Sequence, residues 1–313
     1  MLPSEVASHL IQQIFISRPK MKLSKTAIQK ILYKVSVSLP EGDTVRSSLP
    51  YYWYNYGPYS DVVESAIDGL RMNGTLLEEE THTGKTVLMP ASTAPKGLFI
   101  LEDASEIVRN IVASCNPYRI DPLIEEIYRN HAPFPFLPHY KLDFLAPLTL
   151  YLQRATRDQT TLIRFSSDFD SPHIDALENI LYTCEVEIPD DPLFEAFSEI
   201  FTSFVSAAGF AFDRMRHEDP AFGFLAEETH KRAEEIWYTF TRGLRIQREA
   251  HDPYYDPELD NWQILYQIKL RELDPAIKEY SRTVRRSNPH KPGREPDEQS
   301  KRILSSLVKG HLS

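Results

Sequence analysis

The chain has 313 residues, of which 42% are hydrophobic and 26% charged, with a formal net charge of −10. This is the balance of a soluble globular protein with room for two domains and a sizeable core. The negative charge argues against a broadly basic nucleic-acid coat, although a local basic face remains compatible with DNA. No unbroken apolar run reaches membrane-spanning length. The start MLPSEVASHLIQQIF carries Glu5 and lacks the basic onset and cleavage pattern of a signal peptide, so a cytoplasmic location is expected. Cys115 and Cys184 sit in no ligand spacing and read as buried, reduced thiols. Charge is unevenly spread: acids concentrate over 168–195 and bases over 282–309.

In chain order, Val6, Leu10 and Ile14 fall at helical spacing over 5–16, with Ser4 as cap. After the linker 17–20, Ser24 caps a second helix whose face is Ile28, Ile31, Leu32 and Val35, broken at Pro40, Gly42 and Asp43. Six of the ten residues in Tyr51–Ser60 are aromatic, which favours a half-buried strand; Gly57-Pro58 then turns the chain and Ser60 caps a third helix. That helix carries Val62, Val63, Ala66, Ile67 and Leu70 and stops at Gly74. Two short strands, 75–80 and 86–89, flank turn residues 81–85. Three helices followed by a hairpin is the order of a winged helix-turn-helix, with 60–73 as recognition helix and 75–90 as wing.

Further helices are expected over 103–116 and 121–130. Prolines 133, 135, 138 and 147 then interleave with Phe134, Phe136, Tyr140 and Phe144, a pattern read as an ordered connection packed on the preceding domain. Helices are expected near 148–157, 172–184, 191–216, 221–250 and 258–284, followed by a polar Pro/Gly break over 287–299 and a short helix over 299–309. The expected fold is mainly α with an α+β N-terminal part. It divides into a winged-helix-like domain over 1–145, a helical domain over 146–286, and a basic, partly disordered tail over 287–313.

The run Gln29-Lys30-Ile31-Leu32-Tyr33, followed by Tyr56-Gly57-Pro58 leading into a helix, resembles the Panacea-type antitoxin-like domains. Those domains show a Leu-x-Lys-x-x-Tyr-like helix and a later Tyr-Gly-Pro turn. Ile127–Pro133 is similar to the end of such domains. The resemblance covers about the first 140 residues and implies a compact binding domain. It also implies a protein partner, a toxin or a subunit of a phage-defence complex.

Enzyme signatures are sparse. Gly84-Lys85-Thr86 ends like a phosphate loop, but the required earlier glycine position holds Glu79. No pair of histidines takes the helical spacing of a zinc hydrolase, and no Gly-x-Ser-x-Gly elbow is present, so no metal and no cofactor is expected. Arg245 with His251, and Arg285 with His290, meet the Arg–His spacing of helical ribonucleases of the HEPN class, where Arg holds phosphate charge and His moves the proton. Lys22, Lys25, Lys30, Lys85, Arg285 and Arg286 are the candidate nucleic-acid contacts. The helix expected in the recognition position sets Asp61, Glu64 and Asp68 against Arg71, which works against phosphate binding. The leading expectation is therefore a non-catalytic interaction module whose partner meets Tyr52, Tyr54, Tyr56 and Tyr59. The alternatives are a winged-helix DNA-binding regulator and a ribonuclease centred on Arg245 and His251.

Overall fold

The computed structural model describes residues 2–81, 84–90, 101–115, 120–160, 171–216, 222–247 and 256–286. Helices α1 (Pro3–Ser17) and α2 (Lys25–Ser38) are followed by a single turn, α3 (Thr44–Ser47). Ser24 caps α2 by accepting from the Ala27 N–H at 3.1 Å. Strands β1 (Tyr52–Tyr54) and β2 (Gly57–Tyr59) pair antiparallel, and α4 (Asp61–Met72) follows from a Ser60 cap. Gly74 supplies the left-handed step, at φ +74°, that ends this turn of chain. A second hairpin, β3 (Leu77–Thr81) and β4 (Gly84–Leu88), then pairs Glu80 with Lys85, and Leu23 bridges to Val87 ahead of α2.

The aromatic run is thus two strands rather than one. Asn55 and Tyr56 make the reversal without positive φ, and the left-handed residue is Gly57, at φ +86°. A left-handed glycine just after a two-residue reversal is a common way to bend the chain back while keeping both strands in register.

Helices α5 (Glu102–Ser114) and α6 (Asp121–His131) complete the first half. The second half opens with α7 (Phe136–Pro138) and a π-helical turn (His139–Leu145) that runs into α8 (Ala146–Thr160). In the π turn the Ala146 N–H returns to the Lys141 carbonyl, five residues back, just before Pro147, which has no N–H to give. Then follow α9 (Ser171–Val186), α10 (Glu195–Arg216), α11 (Phe222–Ile246) and α12 (Asp256–Arg286). No helix among the described residues is long and apolar enough to cross a membrane.

Two hydrophobic cores account for this order. The first is built from α1, α2, α4 and α5 and ends at Leu123 and Ile127. The second starts one residue later, at Tyr128, and runs to Val284. The change of core therefore falls inside α6, upstream of residue 145. The proline-punctuated stretch, expected to pack on the N-terminal domain, is helical instead, and Phe136, Tyr140 and Phe144 lie in the second core. Their alternation of ring and proline reads as a connection in one dimension. In three dimensions Phe136 meets Phe240 at 4.2 Å and the Tyr140 hydroxyl donates to the Ala233 carbonyl at 3.0 Å. The expected helix over 299–309 and the tail over 287–313 lie outside the described residues.

Two glycines in helices test this packing with opposite signs. A Cβ on Gly243 would stand 2.7 Å from Phe194 Cε1 and 2.8 Å from Tyr266 Cζ, whereas one on Gly69 meets nothing within 4 Å. Alanine normally gains about 1 kcal/mol over glycine inside a helix, and an overpacked core loses about 1–3 kcal/mol. Gly69→Ala should raise the thermal midpoint and Gly243→Ala should lower it; equal shifts in the two would contradict the placement of α11 against α10 and α12.

Candidate functional site

The Gln29–Tyr33 run of α2 and the Tyr56-Gly57-Pro58 turn meet in space. From α2, the Gln29 side chain both accepts from the Ser60 N–H (3.1 Å) and donates to the Ser60 carbonyl (2.9 Å). One turn of chain is thereby pinned at both of its backbone groups. Next to it, Lys30 Nζ donates to the Pro58 carbonyl at 2.8 Å. Tyr33 stands edge-on to Tyr51 (5.1 Å) and Trp53 (6.3 Å), and Trp53 to Tyr128 (5.2 Å). Gly57 has no room for a side chain: a Cβ would lie 3.1 Å from Tyr128 Cε2 and 3.4 Å from Lys30 Nζ. The Lys…Tyr and Tyr-Gly-Pro elements are two sides of one lock.

The same hairpin reaches across to the second core. The Asn55 carbonyl accepts from Trp237 Nε1 at 2.9 Å, and its side-chain oxygen accepts from the Thr241 hydroxyl at 2.7 Å. On the neighbouring face, Tyr52 and Trp262 are buried against each other, with Tyr54, Tyr59 and Ile246 packed around them. The Arg245 guanidinium lies over the Trp262 ring at 3.6 Å and near those of Tyr52 (4.9 Å) and Tyr54 (5.2 Å). Arg245, Tyr52, Tyr54 and Tyr59 border a cleft of about 370 Å³ between the start of α2, the hairpin, the start of α4 and the end of α11.

The electrostatics of the cleft are set by burial. Lys30 is 2% exposed and burial drives its pKa down to about 7. Burial raises the Asp61 carboxyl, against the pull of Arg245 and a hydrogen bond from Tyr52. Burial also raises the Tyr59 phenol to about 12, with Glu64 and Asp61 adding to the effect. Lys25, at the mouth, binds Glu64 and, at 2.9 Å, Asp68, and these contacts outweigh burial and raise its pKa. The buried Arg245 Nε finds no hydrogen-bond partner among the described residues.

The sequence candidates separate into groups. Tyr52, Tyr54 and Tyr59 turn toward their own chain's Arg245 and Trp262, while Tyr56 at the hairpin tip is 63% exposed. Lys25 and Lys30 border the cleft. Lys30 must be withdrawn as a nucleic-acid contact, because its ammonium is buried on a backbone carbonyl. Lys22 pairs with Glu79 (2.5 Å) and Lys85 with Glu78 (2.9 Å), so both charges on the β3–β4 side are met by acids. Gly84-Lys85-Thr86 lies within β4. Arg285 lies 4.9 Å over the Phe210 ring, and with Arg286 it stands on the last turn of α12, about 35 Å along the helix from Trp262 at 1.5 Å per residue. His251 and His290 lie outside the described residues, so only the Arg245 and Arg285 halves of the two Arg–His pairs are placed. Sequence reasoning passed over Asn55, Trp262 and the inward role of Asp61. Nothing local marks Trp262, which meets Tyr52 from 210 positions away in the chain.

One other cluster has the order of a hydrolytic triad. Thr149 Oγ1 is 2.9 Å from His230 Nε2, and His230 Nδ1 is 3.8 Å from Glu234. The Thr149 hydroxyl, however, gives its single proton to the Leu145 carbonyl at 2.8 Å, so His230 faces a lone pair and has no proton to take. Glu234 is also beyond hydrogen-bond reach. Cys115 and Cys184 are free thiols, both pushed up in pKa chiefly by burial, which disfavours thiolate chemistry. Among the described residues no group of three His, Cys, Asp or Glu side chains converges to hold a metal ion. Comparison of the chain with protein-family models, with curated proteins and with solved structures returned no match.

The lysine lock makes a prediction about pH. Lys30 loses its proton near pH 7 in the folded chain and near 10.5 when unfolded. Between those values the unfolded chain binds more protons, so this group makes stability rise with pH across that window and contributes no slope below it. Urea unfolding of the wild type from about pH 7 to about pH 10 should therefore show an upward component that Lys30→Met lacks. Parallel curves for the two proteins would show that Lys30 keeps its charge inside.

Proposed function

We propose that the protein is a non-catalytic interaction module, antitoxin-like or a subunit of a phage-defence complex, with a winged-helix-like N-terminal unit. The observation that carries this reading is an exposed apolar strip on α12. Ile264, Leu265 and Ile268 stand out to solvent within little more than one turn, on a helix whose opposite face (Trp262, Tyr266, Leu270) is buried. Leu265 lies one turn before Lys269, which with Tyr238 and Arg242 of α11 borders a shallow groove. Apolar side chains rimmed by such charged groups are the usual makeup of a protein-binding face. Tyr56 extends the same chemistry, since it hydrogen-bonds Tyr238. The order α1, α2, α4 and the β3–β4 hairpin supports the winged-helix reading.

The DNA-regulator reading draws on that same order. It is weakened because Lys22, Lys25 and Lys85 are each paired with an acid and Lys30 is buried. The ribonuclease reading has only Arg245 of its pair among the described residues, and Arg245 lies inside a cleft against Tyr52, Tyr54 and Trp262 rather than on an open surface.

The test is capture of tagged protein from its host, wild type beside Ile268→Asp. A surface change of this kind should leave stability within about 0.5 kcal/mol. A stoichiometric protein partner should co-purify with the wild type and bind at least about ten-fold more weakly to the variant, as for a central interface residue. Nucleic acid recovered without protein, or a partner indifferent to Ile268→Asp, would overturn the proposal.

A further inference from the structure

The cleft beside Arg245 has a charge imbalance that points to an occupant. Of the ionisable side chains on its walls, Glu64 is bound by Lys25, and Asp68, just outside, is shared by Lys25 and Arg71. What remains facing inward is Lys30, Arg245 and Asp61. Among the described residues that line the cleft, two cations against one carboxylate leave a single positive charge in excess when all three are ionised, with Glu258 acting on Asp61 from outside the lining. Lys30 has unspent donors, since it uses one N–H, on Pro58, and carries three when charged. Arg245 lines the same cleft with its guanidinium plane held against Trp262, so the direction in which it can donate is set in advance. A buried cation with no counter-charge is disfavoured, which is why the Lys30 proton is held so weakly.

We propose that this cleft binds a small monocarboxylate with a flat ring, its carboxylate between Lys30 and Arg245 and its ring against Tyr54 and Tyr59. One negative charge matches the excess; a phosphate dianion would exceed it and would face Asp61. A volume of about 370 Å³ readily admits a ring and a carboxylate. The tyrosine walls offer stacking surface, and Asn55 at the rim has both of its oxygens engaged with α11. Bound there, the anion would supply the counter-charge that Lys30 lacks. Tyr56 borders both the cleft and the proposed partner face, but Ile268 lies outside the cleft lining, so the two proposals are tested by different residues.

The experiment uses the full chain in phosphate-free buffer, titrated with sodium benzoate and followed by ligand-observed NMR and the thermal midpoint. Benzamide, with the same ring and no charge, and inorganic phosphate are titrated alongside. Saturable benzoate binding is expected, with benzamide at least ten-fold weaker and both Lys30→Met and Arg245→Gln at least ten-fold weaker for benzoate. Should Lys30→Met fail to fold, Arg245→Gln decides alone, its fold checked by circular dichroism. The proposal is overturned by an absence of saturable benzoate binding, by benzamide binding as well as benzoate, by affinity unchanged in the variants that fold, or by phosphate binding more tightly than benzoate.

Discussion

The hydrogen bond from the buried Lys30 ammonium to the Pro58 carbonyl is the contact on which the arrangement of this molecule turns. Pro58 removes a donor from a strand only three residues long, and a hairpin of two such strands has little stability alone. What fixes it is α2. Gln29 takes both backbone groups of Ser60, Lys30 takes the carbonyl of Pro58, and Ser60 in turn caps α4. Three consecutive features, the end of the hairpin, the cap and the helix start, are thus set by two adjacent side chains of an earlier helix. The polar groups are buried together and satisfy one another, and a buried polar network holds one geometry when all its members are met.

Once fixed, the hairpin joins the two cores. Its loop residue Asn55 accepts from Trp237 and Thr241 of α11, and its first strand places Tyr52 against Trp262 of α12. Trp53 packs against both cores, on Tyr33 of one and Tyr128 of the other. The passage from one core to the other inside α6 has the same consequence. Ile127 and Tyr128 are neighbours on one rigid helix yet belong to different hydrophobic clusters, so the two halves cannot shift far without breaking α6 or the hairpin contacts. The cleft sits where these links converge, which gives its walls fixed positions.

Local signals in the sequence located most elements. Helical periodicity set α1, α2 and α4 to within a residue or two, and Ser24 and Ser60 cap α2 and α4 as expected, whereas α1 starts at Pro3 with Leu2 as its cap, so Ser4, the expected cap, lies inside the helix. The four-residue α3 escaped, having no room for a repeat. The aromatic run was legible as extended chain but not as a hairpin, since Tyr54-Asn55-Tyr56-Gly57 lacks the Asn-Gly dipeptide that marks the commonest reversal. The proline-rich stretch misled because prolines at the starts of short helical turns are indistinguishable in sequence from those of a linker. For the cleft, the residues from one neighbourhood were visible as chemistry, but their company was not. Lys30 read as a surface cation because lysine usually is one, and only the fold reveals that its neighbours are Pro58 and Tyr128.

Charge distribution gives the clearest physical distinction between the functional readings. A protein that reads phosphate backbones keeps its lysines and arginines turned outward and unpaired, since each neutralised phosphate adds to affinity. Here the N-terminal unit does the reverse: Lys22, Lys25, Lys34 and Lys85 each hold a carboxylate, and Arg71 holds two. Lys30 and Arg245 are instead turned inward to one cleft and are flanked by rings. An acidic chain that spends its surface bases on its own acids gains little attraction for a polyanion. One that turns two cations toward a half-buried carboxylate inside a cleft keeps that charge away from the surface a polyanion would meet.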